Sequence, residues 1–406
     1  MTTRNKGRNS GRSSGPRPPM KDNYDKLARE IFPEMNASLY QSSPSTYFRM
    51  RLASAALHLK PTADMLASDQ SMSYGVVSAK WELPSDDRVR VEFVSLDVTV
   101  LFHHAAETLI RLLFAHRDTP NCPWLEVTRL TDFKKFKQSV DQLRKTKKSA
   151  WDRKKLGVVL LGGATPEDAG LDIDQETWDE HIDASIIFFS DVAGRLLDGA
   201  NMYNTAKHGL AGIVDSSTRM EMETDGVTHV LNDGPSIAYP HRVKERVDGV
   251  DQLKWQISLD AVLIDSDMLM IEAICKYIDS IFDVARRRYV GEAGAVWILN
   301  SSFIYTTILK GRVTAAQLVS GVAFDVATAS TGPDGERKLS GIGVNLKSLR
   351  ISDEVIEVLE SYDDEMDAPR VVDLPAQERY RRVTVDPNSH ILPFSPPGSH
   401  SVLANS

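Results

Sequence analysis

The stretch VTVLFHHAAETLIRLLF, residues 98–114, decides the fold class. Its apolar residues at positions 102, 105, 106, 109, 110 and 113 recur at intervals of three and four. That spacing places them on one face of an α-helix, which turns once in about 3.6 residues. We therefore predict a long helix with one buried face, around which the rest of the chain folds.

Two more segments have the same periodicity. One begins near Asp174 and runs to His208, with Gly199 able to bend it and Gly209 placed to end it. The other covers residues 266–289 and ends in three consecutive arginines, which complement the negative end of the helix dipole. The predicted fold class is mainly α: an antiparallel helical bundle core with small β insertions, α+β overall, and disordered tails.

Strands are predicted where β-branched and aromatic residues cluster between turn residues. These are residues 74–81 and 89–94 around a turn at 84–87, residues 227–243 with a turn at 232–235, residues 253–259, and a hairpin of residues 322–329 with 338–346. Residues 315–324 fit either a strand or a helix, and residues 353–362 fit a short acidic helix.

Charge is unevenly distributed along the middle of the chain. Residues 131–155 contain ten Lys or Arg and three Asp, and we predict that they form one basic helix. Residues 167–180 contain seven acidic residues. Because the two segments are able to pair with each other, the basic run is weak evidence for an RNA-binding groove.

Composition excludes several broad classes of protein. The chain has 406 residues, of which 42% are hydrophobic and 26% charged, which excludes bulk disorder and fibrous architectures. No stretch approaches the roughly 18 apolar residues of a membrane span, and residues 1–19 lack the apolar centre of a secretory signal. Cys122 and Cys275 are too few for a disulfide framework or a cysteine zinc site. We expect a cytoplasmic protein without a membrane segment.

We divide the chain into five segments. They are a disordered basic tail (1–21), an N-terminal helical and β segment (22–95), a helical core with inserts (96–292), a mixed α/β segment (293–363) and a Pro-rich tail (364–406). The basic tail is either a nucleic-acid-binding arm or a solubilising leader, and we favour the leader. The net charge of −8 argues against a protein that is basic overall.

Familiar catalytic motifs are absent, since the sequence has no GxSxG, HExxH or Walker phosphate loop. The stretch LGGAT at 161–165 is rich in glycine, but no Lys-Ser/Thr follows, so we interpret it as a turn. His103 and Glu107 lie one turn apart on the first helix, beside His104. That spacing presents two ligands to a metal, whereas a site needs three or four, so a polar edge on a buried helix is the better interpretation.

The clearest candidates for chemistry are Asn204, Lys207 and His208, in the sequence YNTAKHG at 203–209. Asn204 and His208 are four residues apart and therefore project from the same face of a helix. An imidazole exchanges a proton near neutral pH, an amide orients a phosphate or hydroxyl, and Lys207 is placed to contact an anion. The plainer alternative is that Asn204 caps a frayed helix end and His208 is a surface residue.

Asn204 and His208 also resemble the signature of the HEPN superfamily, helical bundles found in RNA cleavage, toxin and phage-defence systems. The family pattern is Arg-Asn, three further residues and His, late in a long helix, and this chain has Tyr203 at the arginine position. The order of elements is similar too: an amphipathic helix with an acidic residue, here Glu107, then a variable insert, then the motif helix. The resemblance covers about residues 96–213.

The resemblance implies a homodimer in which two copies of the motif helix face each other. A metal-independent endoribonuclease would then use His208 as general acid or base and Asn204 to orient the phosphate, with no cofactor. Because Tyr203 replaces the cation that would stabilise the phosphate, we favour a binding or scaffolding module in a defence or RNA-related setting. RNA is a candidate partner, and the sequence names no protein partner. A metal-dependent hydrolase using His103, His104 and Glu107 ranks last.

Overall fold

The computed structural model describes residues 27, 29–67, 70–74, 77–81, 83–129, 133–209, 211–224, 226–247, 249–309, 319–327, 329–331, 336–339, 343–348 and 368–376. The α-helices in these residues are α1 (Phe32–Tyr40), α2 (Pro44–Leu59), α3 (Ala63–Ala67), α4 (Asp87–Asp118), α5 (Pro123–Arg129), α6 (Phe133–Lys145), α7 (Arg153–Leu160), α8 (Pro166–Ala169), α9 (Gln175–Asp198), α10 (Ala200–His208), α11 (Ile264–Val290) and α12 (Ser301–Leu309). Short 3₁₀ helices cover Arg29–Ile31 and Lys148–Ala150.

The strands in the same residues are β1 (Gln70–Tyr74), β2 (Val77–Trp81), β3 (Ile213–Thr224), β4 (Val227–Val247), β5 (Val250–Ala261), β6 (Gly294–Ile298), β7 (Val319–Asp325), β8 (Ala329–Thr331), β9 (Arg337–Leu339), β10 (Val344–Ser348) and β11 (Arg370–Leu374). Five of them form an antiparallel sheet in the order β10-β7-β5-β4-β3. The pairs β1–β2, β6–β11 and β8–β9 form two-stranded ribbons. The protein is therefore a mixed α+β fold with a helical majority.

The main hydrophobic core is built largely from α4, α9 and α11. The six positions predicted from the spacing in residues 98–114 are all buried in it, which confirms that prediction. Tyr277 of α11 stacks on Phe188 of α9 with ring centroids 4.9 Å apart, and its hydroxyl donates to Ser185 at 3.0 Å. Cys275 is buried in the same core as a free thiol.

One face of the large sheet packs against the helices. Ile237 and Tyr239 of β4, with Val262 after β5, form a buried cluster against Leu96 of α4 and Met202 of α10. Since side chains alternate between the two faces of a strand, this contact leaves the opposite face of the sheet pointing away from the helices.

By length and composition α4 is apolar enough to cross a membrane, and 72% of its most apolar stretch is buried inside the protein. A core helix meets the same criteria. Most of the buried residues of α4 belong to the main hydrophobic core.

The strand predicted at 89–94 is wrong, because these residues belong to the first turns of α4. Asp86 starts that helix, since its side chain accepts a hydrogen bond from the Arg88 N–H at 2.9 Å. Val94 then lies fully buried in the helical stripe. Of the strand predicted at 74–81, residues 77–81 form β2, which pairs with β1.

The single basic helix predicted at 131–155 is also wrong. The segment contains α6, a 3₁₀ turn and the start of α7, because Asp152 caps a new helix by accepting the Lys155 N–H at 3.1 Å. The expected pairing with acidic residues is present at Arg153, whose guanidinium lies 2.9 Å from Asp179 and also contacts Asp183.

The long helix predicted from Asp174 to His208 is two helices, α9 and α10, divided at Gly199. A Cβ atom at Gly199 would lie 2.9 Å from His103 Cε1, so the break occurs at a close approach to α4. The caps were predicted correctly: Asp174 accepts the Thr177 N–H, and Gly209 ends α10 with φ of 64°.

The turn predicted at 232–235 is wrong, because β4 continues through it as one strand with irregular register against β3. The strand at 253–259 is confirmed within β5, and residues 319–324 of the ambiguous stretch 315–324 are strand. The hairpin of 322–329 with 338–346 is confirmed by the pairs Phe324–Val344 and Ala329–Leu339.

The prediction that the Pro-rich tail is mostly unpacked is wrong for residues 370–374. These residues form β11, which pairs with β6 and buries Leu374 completely in the main core. The basic tail at 1–21 and the acidic helix at 353–362 lie outside the described residues.

Candidate functional site

Tyr203, at the position of the family arginine, points into the protein rather than towards solvent. Its ring stacks on His103 of α4, with centroids 4.7 Å apart and planes 11° apart. Its hydroxyl lies 3.1 Å from His104 Nε2. Tyr203 therefore holds α10 against α4, and its side chain is committed to that contact.

The two histidines beneath Tyr203 are kept neutral by their surroundings. Burial, assisted by the nearby Arg195, lowers the pKa of His103 to about 4. His103 Nδ1 lies 3.1 Å from the carbonyl oxygen of Thr99, and its Nε2 has no hydrogen-bond partner in the described part of the chain. Burial also lowers the pKa of His104, and Arg51 acts in the same direction.

Asn204, Lys207 and His208 are all exposed on the last turns of α10. Lys207 Nζ lies 5.6 Å from the centre of the Tyr203 ring. The exposed carbonyl groups at this end of a helix carry partial negative charge, which favours a cation over a phosphate. The three side chains are thus reachable, but the local field opposes an anionic substrate.

Arg195 of α9, like Lys207, is a candidate replacement for the arginine of the HEPN pattern, but it is committed elsewhere. It forms an ion pair with Asp267 of α11, and its guanidinium lies 4.1 Å from the centre of the Phe102 ring. Glu107 pairs with Arg111, one turn along α4, at 2.6 Å. Neither residue is directed towards Asn204 and His208.

A metal centre at His103, His104 and Glu107 receives no support from the geometry. Within the described ranges, no group of three or more His, Cys, Asp or Glu side chains is placed to hold a metal ion. His103 and His104 instead contact Tyr203, and Glu107 contacts Arg111. These contacts match the polar helix edge that the sequence suggested.

The sheet carries a second candidate surface, which was not predicted from the sequence. We call it the open face: Leu253, Trp255 and Ile257 of β5, Phe324 of β7 and Val344 of β10. Ile257 pairs with Phe324, and Phe324 pairs with Val344, so these side chains lie on the same side of the sheet. All five are between 38% and 59% exposed. The alternation of apolar residues at 253, 255 and 257 was the available signal.

Basic residues flank the open face on β4. Arg242 pairs with Trp255, Lys244 with Leu253, and Arg246 with Asp251 across the β4–β5 ladder, which places all six side chains on one side. The Arg242 guanidinium lies 5.5 Å from the centre of the Trp255 ring. The surface is therefore apolar with a positively charged border.

Comparison with protein-family models, with curated proteins and with solved structures finds no match for this chain.

Proposed function

We propose that the protein is a non-catalytic binding module: a HEPN-like helical bundle, acting in the cytoplasm, that carries a sheet with an open apolar face. The observation that supports it best is the open face itself. Contiguous exposed apolar surface is uncommon on soluble proteins and marks interaction sites. Trp, Phe and Arg, which meet on this face, are the residue types enriched at protein interfaces.

The partner that fits this face is a protein segment with apolar and acidic side chains. Arg242, Lys244 and Arg246 border the face on β4, and among the residues paired with them across β5 the acidic one is Asp251. A second copy docked face to face would bring the basic borders together, which is unfavourable. An acidic segment would instead pair with them while its apolar residues cover Trp255.

A suitable probe exists in the chain's own sequence. Residues 351–367 contain eight acidic residues among seventeen, interspersed with Ile, Val, Leu, Tyr and Met. A fluorescently labelled peptide of this sequence is expected to bind the full chain, and Trp255→Ala is expected to weaken binding at least tenfold, as measured by fluorescence anisotropy. The weakening reflects the loss of a large aromatic contact at the centre of the face.

Two further chains complete this test. Leu57→Ala, which removes an equally exposed apolar side chain from α2, should leave peptide affinity unchanged. The second chain has Asp353, Glu354, Glu357 and Glu360 changed to Ser. If residues 351–367 of the chain itself compete with the peptide for the open face, this variant would bind the peptide more tightly than the wild type does. The proposal would be contradicted if the peptide bound neither the wild-type chain nor the variant with four serines. It would also be contradicted if Trp255→Ala bound the peptide as tightly as the wild type.

The second candidate is a metal-independent endoribonuclease formed across a homodimer. The observation in its favour is that Asn204 and His208 are exposed together at one end of α10, where a second copy can reach them. Against it stand the packed Tyr203 and the negative helix end. The binding module remains the better-supported proposal.

Labelled RNA incubated with the wild-type chain is expected to remain intact, with or without EDTA, because Tyr203 stands where the HEPN pattern has a cation and the negative end of α10 opposes the charge that develops on the phosphate. Gel analysis of the products is the measurement, with His208→Ala as the matched variant. Cleavage that survives EDTA and disappears in His208→Ala would establish the nuclease. Cleavage abolished by EDTA alone would indicate a metal-dependent hydrolase.

A further inference from the structure

A basic cleft of about 1000 Å³ lies near the C-terminal ends of α4 and α11. It is lined by α1 at Phe32, by α4 at His116 and Arg117, by α7 at Lys154 and Lys155, and by α11 at Arg287 and Arg288. His104 and Arg117 are separated by about 20 Å along α4, at roughly 1.5 Å per residue. The cleft is therefore separate from the α10 surface, and its role is independent of the function proposed for the open face.

The charge lining the cleft is almost entirely positive. Its cations are Arg29, Arg117, Lys154, Lys155, Arg287 and Arg288, and its carboxylate is Asp168. Asp168 accepts a hydrogen bond from the Ala164 N–H at 2.8 Å, and Arg117 pairs with Asp118 outside the cleft lining. His116 adds no charge near neutral pH, because burial, assisted by Arg288, lowers its pKa to about 3.

Arg287 is the informative residue in this cleft. It is 4% exposed, and neither Nε nor Nη1 has a hydrogen-bond partner among the residues that the structure describes. Burial lowers its pKa, and the adjacent Arg288 lowers it further, while Asp168 offsets only part of this. A guanidinium remains protonated even so, and a buried charge with two nitrogens that lack acceptors is costly.

The glycine-rich stretch at 161–165 brings the backbone close to this guanidinium. Gly162 has φ of 85°, and a Cβ atom there would lie 3.0 Å from Arg287 Nη1. From the sequence alone, this stretch is interpreted as a turn. The arginines at 286–288 are interpreted as cations that complement the dipole of their helix. The fold places Gly162, Arg287 and Arg288 in one cleft with two lysines.

We propose that this cleft binds a small molecule that carries two or more phosphate groups. A bound phosphate would supply the acceptor that Arg287 lacks, and arginine forms bidentate hydrogen bonds with phosphate oxygens. Arg288, Lys154 and Lys155 would neutralise a further phosphate. The volume is at the upper end of the range for small-molecule pockets, and the cations line a concavity, which favours a compact ligand over an extended RNA.

Inorganic tripolyphosphate is the probe, titrated into the full chain by calorimetry at constant ionic strength beside orthophosphate. We expect tripolyphosphate to bind at least tenfold more tightly than orthophosphate. The double variant Lys154→Ala/Lys155→Ala should bind tripolyphosphate at least tenfold more weakly than the wild type. The matched control, Lys60→Ala/Lys147→Ala, removes two exposed lysines elsewhere and should leave affinity unchanged.

Arg287→Met distinguishes a ligand-binding arginine from a structural one. Removing a buried charge whose Nε and Nη1 lack acceptors should leave the melting temperature of the free protein unchanged or raised, while the tripolyphosphate-induced increase in melting temperature disappears. The proposal would be overturned if Arg287→Met had a lower melting temperature and tripolyphosphate still increased it. Unchanged affinity of Lys154→Ala/Lys155→Ala for tripolyphosphate would overturn it as well. A twelve-nucleotide RNA that binds more tightly than tripolyphosphate, and is weakened by the same lysine variant, would replace the small ligand with RNA.

Discussion

Acidification from pH 7 to pH 5 is expected to remove about 6 kcal/mol of folding free energy, because three buried histidines resist protonation. Burial lowers the pKa of His116 to about 3 and those of His103 and His181 to about 4. An unfolded histidine titrates near 6.5, so between these values the unfolded chain binds more protons than the folded one. Stability is therefore complete above about pH 6.5 and decreases as the pH falls towards the folded values.

The surroundings of each histidine explain the resistance. His181 is buried, and burial lowers its pKa although Nδ1 lies against the Leu299 backbone, 3.0 Å from the amide nitrogen and 3.2 Å from the carbonyl oxygen. His116 Nε2 lies 2.9 Å from the Tyr40 hydroxyl, and Arg288 opposes a positive charge there. Arg195 has the same effect on His103. At pH 5 each site accounts for about 2 kcal/mol of the loss.

Urea unfolding at pH 7, 6 and 5 measures this dependence directly. His116→Gln, which preserves an acceptor for Tyr40 but does not titrate, should reduce the loss between pH 7 and pH 5 by about a third. His208→Ala, which removes an exposed histidine, should leave the loss unchanged. Equal stability of the wild type at pH 7 and pH 5 would mean that the buried sites accept protons freely.

The helical half of the fold was predictable because its signal is local. The spacing in residues 98–114 identified the buried stripe of α4, and Asp174 and Gly209 marked helix ends through hydrogen bonds to neighbouring residues. The break at Gly199 was harder to predict, because its cause is a close approach to His103, almost a hundred residues earlier.

The sheet was only partly predictable because its strands depend on their neighbours. Residues 213–224 have no continuous apolar alternation, yet they form β3 by pairing along β4. The Asn-Asp-Gly-Pro sequence at 232–235 has strong turn chemistry, and the ladder accommodates it through irregular register instead. Local turn preference was overridden by pairing along a strand of 21 residues.

In the candidate sites, too, features set by local sequence were predictable and features set by contacts between distant segments were not. Helical spacing was enough to place Asn204 and His208 together on α10. No sequence pattern indicated that Tyr203 would pack on His103 and His104, because those contacts join distant segments. The basic cleft combines residues of five α-helices with the stretch at 161–165, and each part taken alone had an ordinary explanation.

Gly163→Ala is expected to destabilise the protein by about 3 kcal/mol, the upper end of the usual cost of overpacking. A Cβ atom at this position would lie 2.3 Å from Ala169 N and 2.7 Å from Ala169 Cα. Both are backbone atoms of α8, so no side chain can rotate away to relieve the clash. Either α8 or the stretch at 161–165 must move, although Ala169 is fully buried.

The matched control is Gly209→Ala, because it separates the destabilisation caused by a steric clash of the added Cβ from that caused by an unfavourable backbone conformation. Gly209 has φ of 64°, and an added Cβ would meet nothing within 4 Å among the described residues, so its cost is limited to the left-handed conformation, about 1 kcal/mol. Thermal and urea unfolding of both variants should place Gly163→Ala well below Gly209→Ala in stability.

Because the stretch at 161–165 lies against Arg287, Gly163→Ala should also weaken tripolyphosphate binding, while Gly209→Ala should not. Equal stability of the two variants would show that the backbone around α8 adapts without cost, contrary to the close packing of residues 163 and 169.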